Sequence, residues 1–93
     1  MERTIYLDNN ATTMIAPEVL DAMLPFLKER YGNPSSMHSF GGSVARDVSQ
    51  ARMNVASFIG AEFDYEIVFT GTGTESDNMA IMGSLAYYRD KRH

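Results

Sequence analysis

Tyr65-Glu66-Ile67-Val68-Phe69-Thr70-Gly71-Thr72-Gly73-Thr74-Glu75-Ser76-Asp77-Asn78-Met79-Ala80 reads as an apolar strand that runs through a Gly/Thr turn into a helix. A turn of that kind points several backbone N–H groups the same way, at the positive end of a helix dipole, where a phosphate is readily held. Gly71 and Gly73 let the backbone approach an anion closely, and Thr70, Thr72 and Thr74 add hydroxyl donors. The same residues also fit a purely structural pattern. Thr74 with Asp77, and Thr72 with Glu75, each have capping-box spacing. Glu75 and Asp77 suit the dipole of a first helical turn, yet they oppose a bound phosphate unless they point away from it. On the residues alone, a capped helix start and an anion site both stand. ATP and dinucleotide chemistry fit poorly, because no Lys-Ser or Lys-Thr follows the glycines and a third spaced glycine is missing.

Upstream, Thr4 to Asp8 is β-branched and aromatic with partial alternation and breaks at Asn9 and Asn10, which predicts a short extended segment and a turn. Val19, Leu20, Met23, Leu24, Phe26, Leu27 and Tyr31 recur at helical spacing over 16–31, with Pro17 suited to the first turn and Gly32 to the stop. Pro25 removes an internal hydrogen bond there, so a bend or early stop is expected around Met23 and Leu24. Gly32 to Ser39 is turn-rich and carries His38, read as a loop residue because no second group stands ready beside it. Val44, Val48, Ala51, Val55, Phe58 and Ile59 mark an amphipathic helix over 41–59 that ends at Gly60. A third helix begins near Thr74 and runs to the charged end Arg89 to His93. Asn9, Asn10, Thr12 and Thr13 are expected to stabilise a turn, and the seven Met to be core filler.

This layout is unfinished as a fold. A strand followed by a helix is half of a βαβ unit, and its parallel partner lies beyond the crossover. Thr4 to Asp8 supplies at best a two-stranded pairing, which is marginal in water. Residues 1–93 are therefore expected to be the N-terminal part of a larger protein, or a subunit completed by another chain.

Composition narrows the function classes. Ninety-three residues make one small core at most. A formal charge of −4, with eight scattered Lys and Arg, argues against nucleic acid or a membrane surface as partner. Without cysteine there is no disulfide framework, thiolate metal site or cysteine nucleophile, which fits a reducing cytoplasm; no metal site is expected. The first ten residues lack the apolar core of a secretory signal, and no apolar run approaches membrane-spanning length.

Leu7-Asp8-Asn9-Asn10-Ala11-Thr12-Thr13, Tyr31-Gly32-Asn33-Pro34-Ser35-Ser36-Met37-His38 and Phe69-Thr70-Gly71-Thr72-Gly73-Thr74-Glu75-Ser76-Asp77-Asn78 together resemble, in order and spacing, the opening of cysteine desulfurases of the class V aminotransferase family. The resemblance covers essentially the whole chain but only about the first quarter of such an enzyme. It implies an α/β fold, the N-terminal fragment of a fold type I pyridoxal-phosphate transferase, mostly helical in this segment with one or two short strands. It implies an enzyme that takes sulfur from L-cysteine, leaving alanine and a persulfide on an enzyme cysteine, and one that is a homodimer when complete. Selenocysteine lyases and aminotransferases of the family share similar openings, and an inactive interaction module derived from such an enzyme is the alternative of a different class.

In that family the strand-to-helix turn holds the cofactor phosphate, and the matching positions here are Gly73 and Thr74. The usual form, Thr-Ser-Gly-Ala-Thr-Glu-Ser, differs from Thr70-Gly71-Thr72-Gly73-Thr74-Glu75-Ser76 in its middle. Thr72 stands where the family has glycine, so the local backbone angles are open to question. No residue qualifies as catalytic. Attachment of the cofactor needs a lysine facing it, and Lys28 and Lys91, the only two, sit on the first helix and in the charged tail. The family's cofactor lysine, ring-stacking histidine, pyridine-pairing aspartate, substrate-binding arginine and persulfide cysteine are all expected beyond residue 93.

Overall fold

The computed structural model describes residues 2–91 and resolves into two compact units, one up to Ser49 and one from Gln50. The described residues form three α-helices: α1, Pro17–Lys28; α2, Ser39–Ile59; and α3, Gly73–Tyr88. The unit boundary falls inside α2.

The first unit begins without regular structure. The expected extended segment at Thr4 to Asp8 forms no strand: Ile5 and Leu7 are 75% and 87% exposed, and no neighbouring backbone supplies a ladder. The turn that follows does form. Asp8 O accepts the N–H groups of Ala11 at 3.0 Å and Thr12 at 3.4 Å, and the Tyr6 and Thr12 hydroxyls meet at 2.6 Å across it.

Pro17 opens α1, where its missing N–H costs nothing, and Ala16 O takes the N–H groups of Val19 and Leu20, each at 3.0 Å. Pro25 does not stop the helix at Met23. It sits one turn from the end, and its carbonyl collects two N–H groups, from Glu29 at 2.9 Å and Arg30 at 2.8 Å, which closes α1 at Lys28. The expected span 16–31 is thus too long, and Gly32 is not the stop. Tyr31 has left the helix and packs edge-on against Phe40, ring centroids 5.3 Å apart at 80°. Arg30 lies over the Phe26 ring and forms an ion pair with Asp47.

The loop before α2 is held by its own polar groups. Asn33 Oδ1 accepts the Ser35 N–H at 2.9 Å and Asn33 O accepts the Ser36 N–H at 3.0 Å. His38 is more than a loop residue, because it caps α2. Its carbonyl accepts the Gly42 N–H at 2.9 Å and its Nδ1 accepts the Gly41 N–H at 3.2 Å, which puts the ring proton of the neutral imidazole on Nε2. Helix α2 starts two residues before the predicted 41 and ends where predicted. Gly60 has φ +76°, donating to Ser57 O at 3.3 Å while Ala61 donates to Ala56 O at 2.9 Å, a Schellman stop.

In the second unit the predicted strand at 65–69 is absent. Asp64–Glu66 forms a 3₁₀ turn, with Glu66 Oε2 accepting the Phe63 N–H at 2.8 Å and the Phe63 and Tyr65 rings stacked at 5.1 Å. Ile67 is extended, at φ −96° and ψ 121°, and buried, but no second strand lies beside it. Its carbonyl is met instead by the Arg52 guanidinium at 3.4 Å, and that group also lies over the Phe69 ring. β-structure needs a ladder, and among the described residues there is none. The expectation of one or two short strands is corrected accordingly: the described residues hold three α-helices and no strand, and the expected mostly helical character of the segment stands.

Apolar burial is sparse. Val44, Ala56 and Ile67 are the buried hydrophobic side chains among the described residues. No residue of α3 is buried, although Met79, Ile81, Met82, Leu85 and Tyr87 place apolar groups on every side of it. Lys91 closes that end, its ammonium 3.7 Å from the Tyr87 ring centroid; Arg92 and His93, part of the expected charged tail, lie outside the described residues.

The tightest backbone approach in the first unit is at Gly41. A Cβ there falls 2.3 Å from Asn33 O and 2.8 Å from Ser36 Cβ, with no flexible side-chain end to yield. Gly41→Ala in the protein that carries these residues is therefore expected to cost about 1–3 kcal/mol. Urea unfolding of the variant checks this, and an unchanged midpoint contradicts it.

Candidate functional site

The turn from Thr70 to Glu75 joins extended backbone to α3. Thr72 is the N-cap, with φ −152° and ψ 161°, and its Oγ1 accepts the Glu75 N–H at 3.1 Å. Those angles are ordinary extended backbone, so threonine sits without strain where the family has glycine. Thr72 also supplies a capping hydroxyl that glycine lacks.

Of the two capping pairs in the sequence, only Thr72 with Glu75 forms. Thr74 is the second residue of α3, two positions past the cap. Asn78 Nδ2 donates to Thr74 O at 2.9 Å. Glu75 does not return to the N–H of its own cap residue; its Oε2 accepts the Gly71 N–H at 2.9 Å. The Thr70 and Ser76 hydroxyls meet at 2.5 Å, and both also approach Thr72 O, at 3.0 and 3.3 Å. Thr72 O further accepts the Ser76 N–H at 3.1 Å.

Gly73 and Thr74 are the first two residues of α3. Their N–H groups belong to the opening turn, which has no intrahelical acceptor, and no hydrogen bond among the described residues engages them. The Thr74 hydroxyl is likewise unengaged, and the space where a Gly73 Cβ would stand is open. Two adjacent N–H donors and a hydroxyl at the positive end of a sixteen-residue helix make a donor set for an oxyanion.

The other sequence candidates lie elsewhere. Lys28 is in the last turn of α1, in the first unit. Lys91 is beyond the far end of α3, about 25 Å along the helix from Thr74 at 1.5 Å per residue. Lys91 is thus remote from the turn along its own helix. His38 is engaged as a cap on α2.

A family model described as aminotransferase class V matches residues 5–93. Cysteine desulfurase 2 of Trichormus variabilis is 61% identical over 89 residues, which is 96% of this chain and 22% of that protein. Cysteine desulfurase NifS of Azotobacter vinelandii is 54% identical over 81 residues, 87% of this chain and 20% of its own length. The chain belongs to the class V aminotransferase family. A cysteine desulfurase of Cereibacter sphaeroides is 59% identical over 86 residues, 92% of this chain and 22% of the relative. The chain thus spans about a fifth of the length of the curated relatives it matches. No solved structure matches it.

Membership implies fold type I for the whole to which this segment corresponds. Here the segment contributes helices, and no helix among the described residues is long and apolar enough to cross a membrane.

Sequence reasoning placed Thr72, Glu75, Gly73 and Thr74 at the turn but missed how Glu75 is used. The Thr-x-x-Glu spacing carried that signal. The Thr70–Ser76 hydroxyl contact had none, since six-residue spacing across a turn follows no periodicity. Thr72→Ala is expected to cost about 1 kcal/mol through loss of the cap, and Thr72→Gly only a few tenths, roughly, because glycine exposes the helix end to water. Thermal unfolding of both variants checks the order; alanine and glycine costing the same speaks against a capping role.

Proposed function

We propose that residues 1–93 are the N-terminal segment of a pyridoxal-phosphate-dependent cysteine desulfurase, which converts L-cysteine to L-alanine and passes sulfur to a cysteine of its own as a persulfide. The observation that carries this is identity above half with cysteine desulfurases, spread over nearly the whole segment. On this reading the segment is part of a transferase domain completed by further chain or by a second polypeptide, and the complete enzyme is a homodimer. Delivery of sulfur for iron–sulfur cluster assembly in the cytoplasm is the corresponding role. The lack of cysteine in the segment is compatible with that compartment.

The turn residues fit the cofactor's phosphate. Gly73 and Thr74 donate their N–H groups to its oxygens, the Thr74 hydroxyl adds a third donor, and the α3 dipole favours its charge. Gly73 has no side chain to obstruct the approach. Bound, the group supplies an electron sink for chemistry on the amino acid. The segment's own share is binding and orientation: Thr72 fixes the start of α3, Asn78 braces Thr74 through its carbonyl, and the donors are set before the ligand arrives. Lys28 and Lys91 take no part in this arrangement, which leaves attachment of the cofactor and handling of sulfur to residues outside the segment.

The full-length protein is expected to show the visible absorption of bound pyridoxal phosphate and to release sulfide and alanine from L-cysteine. Thr74→Ala is expected to weaken cofactor binding about tenfold, since a donor to a charged oxygen is lost. Spectrophotometric titration measures it, and a wild-type protein that takes up no cofactor sinks the proposal. The 93 residues expressed alone are expected to release no sulfide from L-cysteine; a methylene-blue assay showing turnover would place the reacting groups inside them.

A further inference from the structure

Glu75 opposes an anion at this turn unless its side chain points away, and the structure shows where its carboxylate is engaged. Its Oε2 accepts the Gly71 N–H at 2.9 Å, and a Cβ built on Gly71 would stand 3.3 Å from the same oxygen. The carboxylate is therefore folded back over Gly71. Its backbone N–H is held at the same time by Thr72 Oγ1. In an ordinary capping box the acid takes the N–H of the cap residue. Here it reaches one residue further back, so one carboxylate oxygen is committed to the Gly71 N–H.

We propose that Glu75 is a positioning residue for the cofactor phosphate: by anchoring the Gly71 peptide, it fixes the turn so that the Gly73 and Thr74 N–H groups are presented together and unpaired. This rests on the phosphate-binding reading of the turn. Two tethers act from opposite directions. Thr72 Oγ1 holds the helix to the cap, and the Glu75 carboxylate holds the residue before the cap to the helix. Without the second tether the Gly71 peptide regains the backbone freedom of a glycine, and the donor pair loses its preset direction. What the position requires is an acceptor oxygen of the right reach; the charge itself is dispensable.

The test uses the full-length protein stripped of cofactor and titrated with pyridoxal phosphate and with pyridoxal, which lacks the phosphate. Glu75→Ala is expected to weaken pyridoxal phosphate about tenfold and to leave pyridoxal unchanged. Glu75→Gln, which keeps the acceptor and removes the charge, is expected to stay within about threefold of wild type. Glu75→Met, of similar length and without oxygen, replaces the alanine variant if that one does not fold. Equal loss of both ligands, no loss of either, or a glutamine variant as weak as alanine overturns the proposal. A wild-type protein that does not prefer pyridoxal phosphate to pyridoxal overturns the phosphate reading itself, and that result is visible before any variant is made.

Discussion

A helix begins with N–H groups that its own backbone cannot satisfy, and what meets those groups shapes this chain at each helix start. At α1 the first helical residue is proline, which has no N–H to satisfy. At α2 a histidine ring nitrogen accepts one, and the tight loop against Gly41 leaves little freedom for another arrangement. At α3 the arrangement is split: Thr72 takes one N–H, and the next two toward the turn are left without a protein partner. Each start is met by a different local device, and at α2 as at α3 the first two helical N–H groups have no hydrogen-bond partner among the described residues.

These local devices matter because apolar burial contributes little. Val44, Ala56 and Ile67 are the buried hydrophobics, while Phe26, Leu27, Phe69, Met82 and Leu85 stand exposed. Helix α3 makes the point most sharply: it is apolar on all sides and buried on none. A helix apolar on all sides is ordinarily buried, and here it is not. Capping and turn hydrogen bonds set local geometry at about 1 kcal/mol each. They do so without long-range packing, which is why a defined turn can be formed in a segment with so small a core.

The same division explains what was legible in the sequence. Gly60 as a stop, Pro17 as a start and the 3.6-residue apolar stripe of α2 are local signals, and each reappears in the structure. The strands at 4–8 and 65–69 failed because β-propensity describes a surface that fits a sheet, whereas a strand exists only when another pairs with it. The end of α1 was misjudged for a subtler reason. Pro25 was weighed for the bond it removes, while its effect lies in its carbonyl, which gathers two N–H groups and ends the helix three residues later. At the turn, residue types identified the donor set, but two capping pairs with equal spacing could not be ranked without backbone angles. His38 gave no local sign of its capping role because histidine is an uncommon cap.

The hydroxyls of Thr70 and Ser76 have one further property. Each approaches Thr72 O, and they also touch one another. Two protons serve this triangle, and two arrangements keep two hydrogen bonds: Thr70 donates to the carbonyl while Ser76 donates to Thr70, or the roles reverse. Switching between them turns the dipole of the pair and moves no heavy atom. The base of the turn is thus locally polarisable: its hydroxyl protons can follow a charge brought to the helix start, while the backbone donors stay fixed.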